Sequence, residues 1–91
     1  MTRCEILNAA SKAVGGDRDR KYGQPEDNFA RIGQLWEVYT GRHYNSDEVA
    51  MMLALLKVAR IMSGHGGDDS YVDLAGYAAC AGEIAAREAG R

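Results

Sequence analysis

The stretch EVAMMLALLKVARIM at residues 48–62, the short run SGHGGD at 63–68 and the stretch DSYVDLAGYAACAGEIAA at 69–86 decide the fold. In the first arm Val49, Met52, Leu53 and Leu56 recur at helical spacing, and Arg60 continues that stripe one turn further. In the second arm Asp73 heads the stripe Tyr77, Cys80, Ile84. Two amphipathic helices joined by a glycine-rich turn make an antiparallel helical hairpin. That pairing brings Arg60 near Asp73, with Lys57 about one turn, roughly 4.5 Å, deeper. Charge on a core-facing stripe is costly unless it is paired. Asp73 is therefore expected to be largely buried and bridged to Arg60 or Lys57, either as a structural ion pair or as part of a binding site.

Working outward, the remaining sequence supplies two more helices. Thr2 and Glu5 form a capping box for a first helix whose face is Ile6, Leu7, Ala10, Ala13 and Val14, and Gly15-Gly16 end it. Pro25, followed by Glu26 and Asp27, marks the start of a second helix with the face Phe29, Ile32, Leu35, Trp36 and Tyr39, stopped by Gly41. Asn45 and Glu48 make another capping box before the first arm of the hairpin, and the second arm is expected to start near Asp69 or Ser70. No strand pattern and no linker interrupts the 91 residues, so the expected architecture is a single all-α domain of about four helices.

Size and composition narrow the function classes. At this length only about 60–65% of the unfolded surface can be buried, and much of the 46% hydrophobic content is alanine, so homo-oligomerisation is expected. In the last helix Ala75, Ala79, Gly82 and Ala86 form a small-residue stripe, suited to close packing within the subunit or between subunits. A net charge of −2 offers no general attraction to duplex nucleic acid. No apolar run nears the roughly 18 residues of a membrane span, and no hydrophobic signal core stands at the N-terminus. Cys4 and Cys80 are too few and too far apart for a disulfide framework, which together reads as a cytoplasmic protein.

Two clusters carry chemistry. The segment Gly16-Asp17-Arg18-Asp19-Arg20-Lys21-Tyr22-Gly23 combines three cations with an aromatic ring, parts that suit an anionic, planar ligand or simply a solvated turn. Lys57, Arg60, Asp69 and Asp73 form the second. Carboxylates one helical turn apart can share a magnesium ion, while the cations can hold phosphate; an ion pair that fixes the hairpin register is the alternative. His43 and His65 stand at no zinc-ligand spacing with either cysteine, and neither a P-loop nor a nucleophile elbow occurs.

Lys21-Tyr22-Gly23, Pro25-Glu26-Asp27-Asn28-Phe29 with Leu35-Trp36, the run 55–60 and the run 69–78 together resemble a small phage and prophage protein family of unknown function. More remotely the chain is similar to nucleotide-modification-associated domains and to MazG-like all-α nucleoside triphosphate pyrophosphatases. The resemblance spans residues 17–86 and implies a nucleotide-type ligand and action in the host cytoplasm. MazG-like hydrolases hold magnesium through paired acids on two successive helices. Here the first of those helices has no second acid after Glu48, and Lys57 and Arg60 bring positive charge toward Asp69 and Asp73. The resemblance thus implies a nucleotide binder without strong hydrolysis, acting in counter-defence by sequestration in a pocket between subunits. Its ligand contacts are expected from Arg18, Arg20, Lys21, Lys57 and Arg60 to phosphate and from Tyr22 or Tyr71 to the base, with no cofactor. The rival reading is a magnesium-dependent pyrophosphohydrolase using Glu48, Asp69 and Asp73. A protein-binding adaptor that inhibits a host factor is the third.

Overall fold

The structure, a computed structural model, describes residues 1–15 and 23–89. Four helices account for nearly all of them: α1 (Arg3–Val14), α2 (Pro25–Thr40), α3 (Ser46–Met62) and α4 (Gly67–Ala89), with no strand among the described residues. The fold is all-α, as the periodicity predicts. Local chemistry sets each boundary. The Thr2 hydroxyl accepts from the Glu5 amide at 3.2 Å while the Glu5 carboxylate accepts from the Thr2 amide at 2.9 Å, and hydrogen bonding to the carboxylate from the Thr2 backbone, then from its side chain, holds the Glu5 carboxyl below the usual range. Gly41 ends α2 with φ +76°, a left-handed conformation that a side chain disfavours. At α3 the Glu48 carboxylate accepts from the Asn45 amide at 2.9 Å. Helix α4 starts at Gly67, earlier than the expected Asp69, because Asp68 and Asp69 serve as first-turn acids facing the helix dipole.

Helices α3 and α4 form the antiparallel hairpin and share the most extensive contact in the molecule. Their turn is tight: a Cβ on Gly66 would stand 2.9 Å from the Ile61 Cα. The other two helices pack onto this pair. Helix α1 runs beside the first half of α4, with the Met1 ammonium 3.5 Å from Asp68 and Val14 against Gly76. Helix α2 runs opposite to α4. Glu26 meets Arg87 at 3.1 Å, and Phe29 meets Tyr77 with ring centroids 6.1 Å apart. Where α2 passes the entry to α3, Gly33 is required: a Cβ there would lie 3.0 Å from the Tyr44 carbonyl oxygen and 3.3 Å from Val49 Cγ2.

The core is thin. Phe29, Val49, Ala50, Ala81 and Ile84 form its centre, flanked by Ile32, Trp36, Tyr44, Leu53, Tyr77 and Cys80. Among the described residues the stripe buried on α3 is Val49, Ala50, Leu53, Ala54, Lys57, turned from the expected Val49, Met52, Leu53, Leu56, Arg60. The reason is size: alanines at 50 and 54 let α4 approach closely, which leaves Met52 and Leu56 outside. The small-residue stripe of α4 behaves likewise. Gly76 and Ala81 take the close contacts, while Ala79, Gly82 and Ala86 are exposed and Ala75 is half-buried. No described helix is long and apolar enough to cross a membrane.

Candidate functional site

Among the described residues one ion pair crosses the hairpin. Lys57 Nζ stands 3.0 Å from Asp73 Oδ2, and the side chains are 13% and 44% exposed respectively. The expected bridge thus forms through Lys57, but the burial is reversed: the lysine is the enclosed partner and the aspartate is half-open. Arg60 is exposed and makes no ion pair among the described residues. The hairpin register explains the choice. With Lys57 opposite Asp73, the antiparallel count places Arg60 opposite Ser70, about one turn short of the carboxylate.

Asp73 opens onto a cleft of about 380 Å³ between α1, α2 and α4. Its walls are apolar: Val14 from α1, Phe29, Ile32 and Leu35 from α2, Leu53 from α3, and Val72 and Tyr77 from α4. Asn28, Arg31 and Asp73 supply the polar edge. Asn28, Arg31, Ile32 and Leu35 share one stripe of α2 because their spacings of three, one and three return to the same side of a helix. The volume lies in the range of small-molecule sites, in which a few placed polar groups sit on a mainly apolar wall. A second hollow beside Glu26 and Arg87 measures about 70 Å³ and is too small for such a ligand.

The structure separates several residues that the sequence reading groups together. Tyr71 is exposed and does not line the cleft, since residues two apart on a helix point about 200° apart and Asp73 occupies the cleft side. Tyr77 and Phe29 are the aromatics of the wall instead. Asp69 is exposed in the first turn of α4, and Glu48 reaches back to its own cap at the far end of α3. Among the described residues no three acidic, histidine or cysteine side chains converge as a metal site. Glu48 is held away from Asp69 and Asp73 by the length of the hairpin. Arg18, Arg20, Lys21 and Tyr22 lie outside the described residues, although Val14 and Gly23, near the two ends of that segment, both line the cleft. Sequence reasoning missed Asn28 and Arg31; the signal was polar residues interleaved with Ile32 and Leu35 on one α2 stripe.

The chain belongs to a family described as a domain of unknown function, DUF6378, whose model matches residues 5–85. It is similar to the Gene 55 protein of Mycobacterium phage L5, 40% identical over 74 residues, covering 80% of this chain and 47% of that protein. The Gene 55 protein of Mycobacterium phage D29 is 35% identical over 79 residues, covering 87% of this chain and 52% of that protein. The chain therefore spans about half the length of the curated relatives it matches. No solved structure matches it.

Proposed function

We propose that the cleft between α1, α2 and α4 binds a nucleotide or nucleotide-derived small molecule and holds it without hydrolysis. The observation that carries this reading is the pairing of an aromatic and aliphatic wall with a cationic edge in one cleft of about 380 Å³. A base packs against Phe29, Leu35 and Tyr77, with Asn28 and Asp73 within the same cleft as partners for its polar edge. Phosphate lies toward Arg31 at the cleft's polar edge. Lys57 acts through Asp73: the 3.0 Å bridge fixes the carboxylate in place. The sequence resemblance to nucleotide-handling all-α domains motivates the ligand class, and the similarity to mycobacteriophage proteins motivates a host nucleotide as its source.

The test is calorimetric titration with a panel of nucleoside triphosphates and cyclic oligonucleotides, run with magnesium and with chelator, alongside product analysis. Binding without metal, weakened by salt because exposed phosphate contacts are screened, with ligand recovered intact after denaturation, is the expected result. Arg31→Ala should weaken it. Magnesium-dependent pyrophosphate release over many turnovers would replace capture with the pyrophosphohydrolase, and absence of binding across the panel would overturn the ligand class.

A further inference from the structure

Asp73 and Tyr77 stand four residues apart on α4, so they share one face with about 6 Å between them along the axis, and both line the cleft. The half-buried Tyr77 ring tilts against buried Phe29, with centroids 6.1 Å apart, and Ile32 and Leu35 continue the apolar wall. A flat ring lying along that wall presents its edge to Asp73. The carboxylate there is held but not used up. Its Oδ2 takes the Lys57 ammonium at 3.0 Å, no other residue bonds it among the described residues, and the side chain remains 44% exposed. A carboxylate has roughly four lone-pair directions, so one ammonium leaves most of its capacity to accept hydrogen bonds available at the cleft.

We propose that the base this cleft selects is guanine, with Asp73 accepting from its N1–H and its 2-amino N–H; the inference rests on the nucleotide-binding cleft proposed above and adds the identity of the base. The chemistry of the acceptor makes the selection. As the anionic partner of Lys57, the Asp73 carboxylate accepts hydrogen bonds and donates none, so it favours a ligand edge with two adjacent donors and repels a lone pair. Guanine has such an edge. Adenine sets its 6-amino donor beside the N1 lone pair, cytosine sets its 4-amino donor beside N3, and uracil has one N–H between two carbonyl oxygens. Charge points the same way. Lys57 already balances Asp73, which favours a neutral pair of donors over an ammonium or guanidinium ligand, and Arg31, exposed and without an ion pair among the described residues, adds positive charge at the cleft edge that suits a phosphorylated ligand. The bridge to Lys57 also fixes the carboxylate before binding, so less side-chain freedom is lost when the base arrives. Asn28, on the same edge, carries an amide with both donor and acceptor and can accompany any base, so discrimination falls to Asp73.

Calorimetric titration of the full chain with GTP, ITP, ATP and XTP, at one salt concentration and in chelator, tests the proposal. GTP should bind at least tenfold more tightly than ATP, because a hydrogen bond to a charged group is among the stronger ones and ATP offers one donor where GTP offers two. ITP keeps N1–H and lacks only the 2-amino group, so it should bind severalfold more weakly than GTP with the phosphates unchanged. Asp73→Asn replaces an acceptor oxygen with an N–H donor. It should lose at least tenfold in GTP affinity and favour XTP, which carries a carbonyl oxygen at position 2, with helicity checked by circular dichroism. Should that variant not fold, the three wild-type affinities for GTP, ITP and ATP decide alone. ATP or ITP binding as tightly as GTP, or a folded Asp73→Asn that binds GTP like the wild type, would overturn the guanine assignment while the nucleotide cleft stood. Failure of all four to bind would overturn both.

Discussion

Removing the Asp73 carboxylate isolates the Lys57 ammonium, and the geometry sets how much that costs. Breaking a buried ion pair from one side typically costs about 3–5 kcal/mol, whereas an exposed pair is worth about 0–1 kcal/mol. The Lys57–Asp73 pair falls between these limits: the lysine is 13% exposed at 3.0 Å from a carboxylate that is 44% exposed. Water reaches the acid, but the ammonium left behind must bend its stem outward to be solvated, losing packing against the hairpin. Asp73→Ala should therefore destabilise by about 2 kcal/mol, which for a chain of this length lowers Tm by roughly 10 °C. Urea denaturation followed by Trp36 fluorescence, at one fixed protein concentration, measures it. In a double-mutant cycle with Lys57→Met, the coupling should be about 1–2 kcal/mol and should shrink at high salt. A loss under about 0.5 kcal/mol with no coupling would show that the bridge does not hold the hairpin register and would refute the reasoning.

Three further outcomes follow from the packing and the caps. Gly33→Ala should destabilise by about 1–2 kcal/mol in the same urea assay, because the clash 3.0 Å from the Tyr44 carbonyl outweighs the roughly 1 kcal/mol of helix propensity gained. Gly82→Ala, with open space around it, should instead leave the folded protomer as stable or more so, the contrast to be read from the two variants side by side. The Thr2 hydrogen bonds lower the Glu5 pKa in the folded chain, so the folded state binds its proton less readily than the unfolded one. That contribution is present above the unfolded pKa and is lost as pH falls through the lowered folded value. Glu5→Gln should accordingly flatten the acid limb of the stability profile of α1, measured by hydrogen exchange of its first turn.

Helix count, helix starts and the hairpin were determined by the sequence alone, because those features depend on contacts within a few residues. The Thr2 and Asn45 capping boxes, Pro25 and Gly41 act locally, and they place three of the four helices where the structure has them. The presence of a charge pair across the hairpin was legible too, since a lysine, an arginine and an aspartate on inward stripes demand partners. Which cation took the aspartate was not. That depended on the hairpin register, which the tight approach at Gly66 and the alanines at 50 and 54 settled, and no local pattern encodes an approach distance between two helices. The same closeness turned α3 so that Met52 and Leu56 face outward. It also turned Tyr71 away from the cleft while Tyr77 entered it. The cleft itself belongs to tertiary structure: Val14, Arg31, Leu53 and Asp73 come from four different helices, and only their packing makes them neighbours.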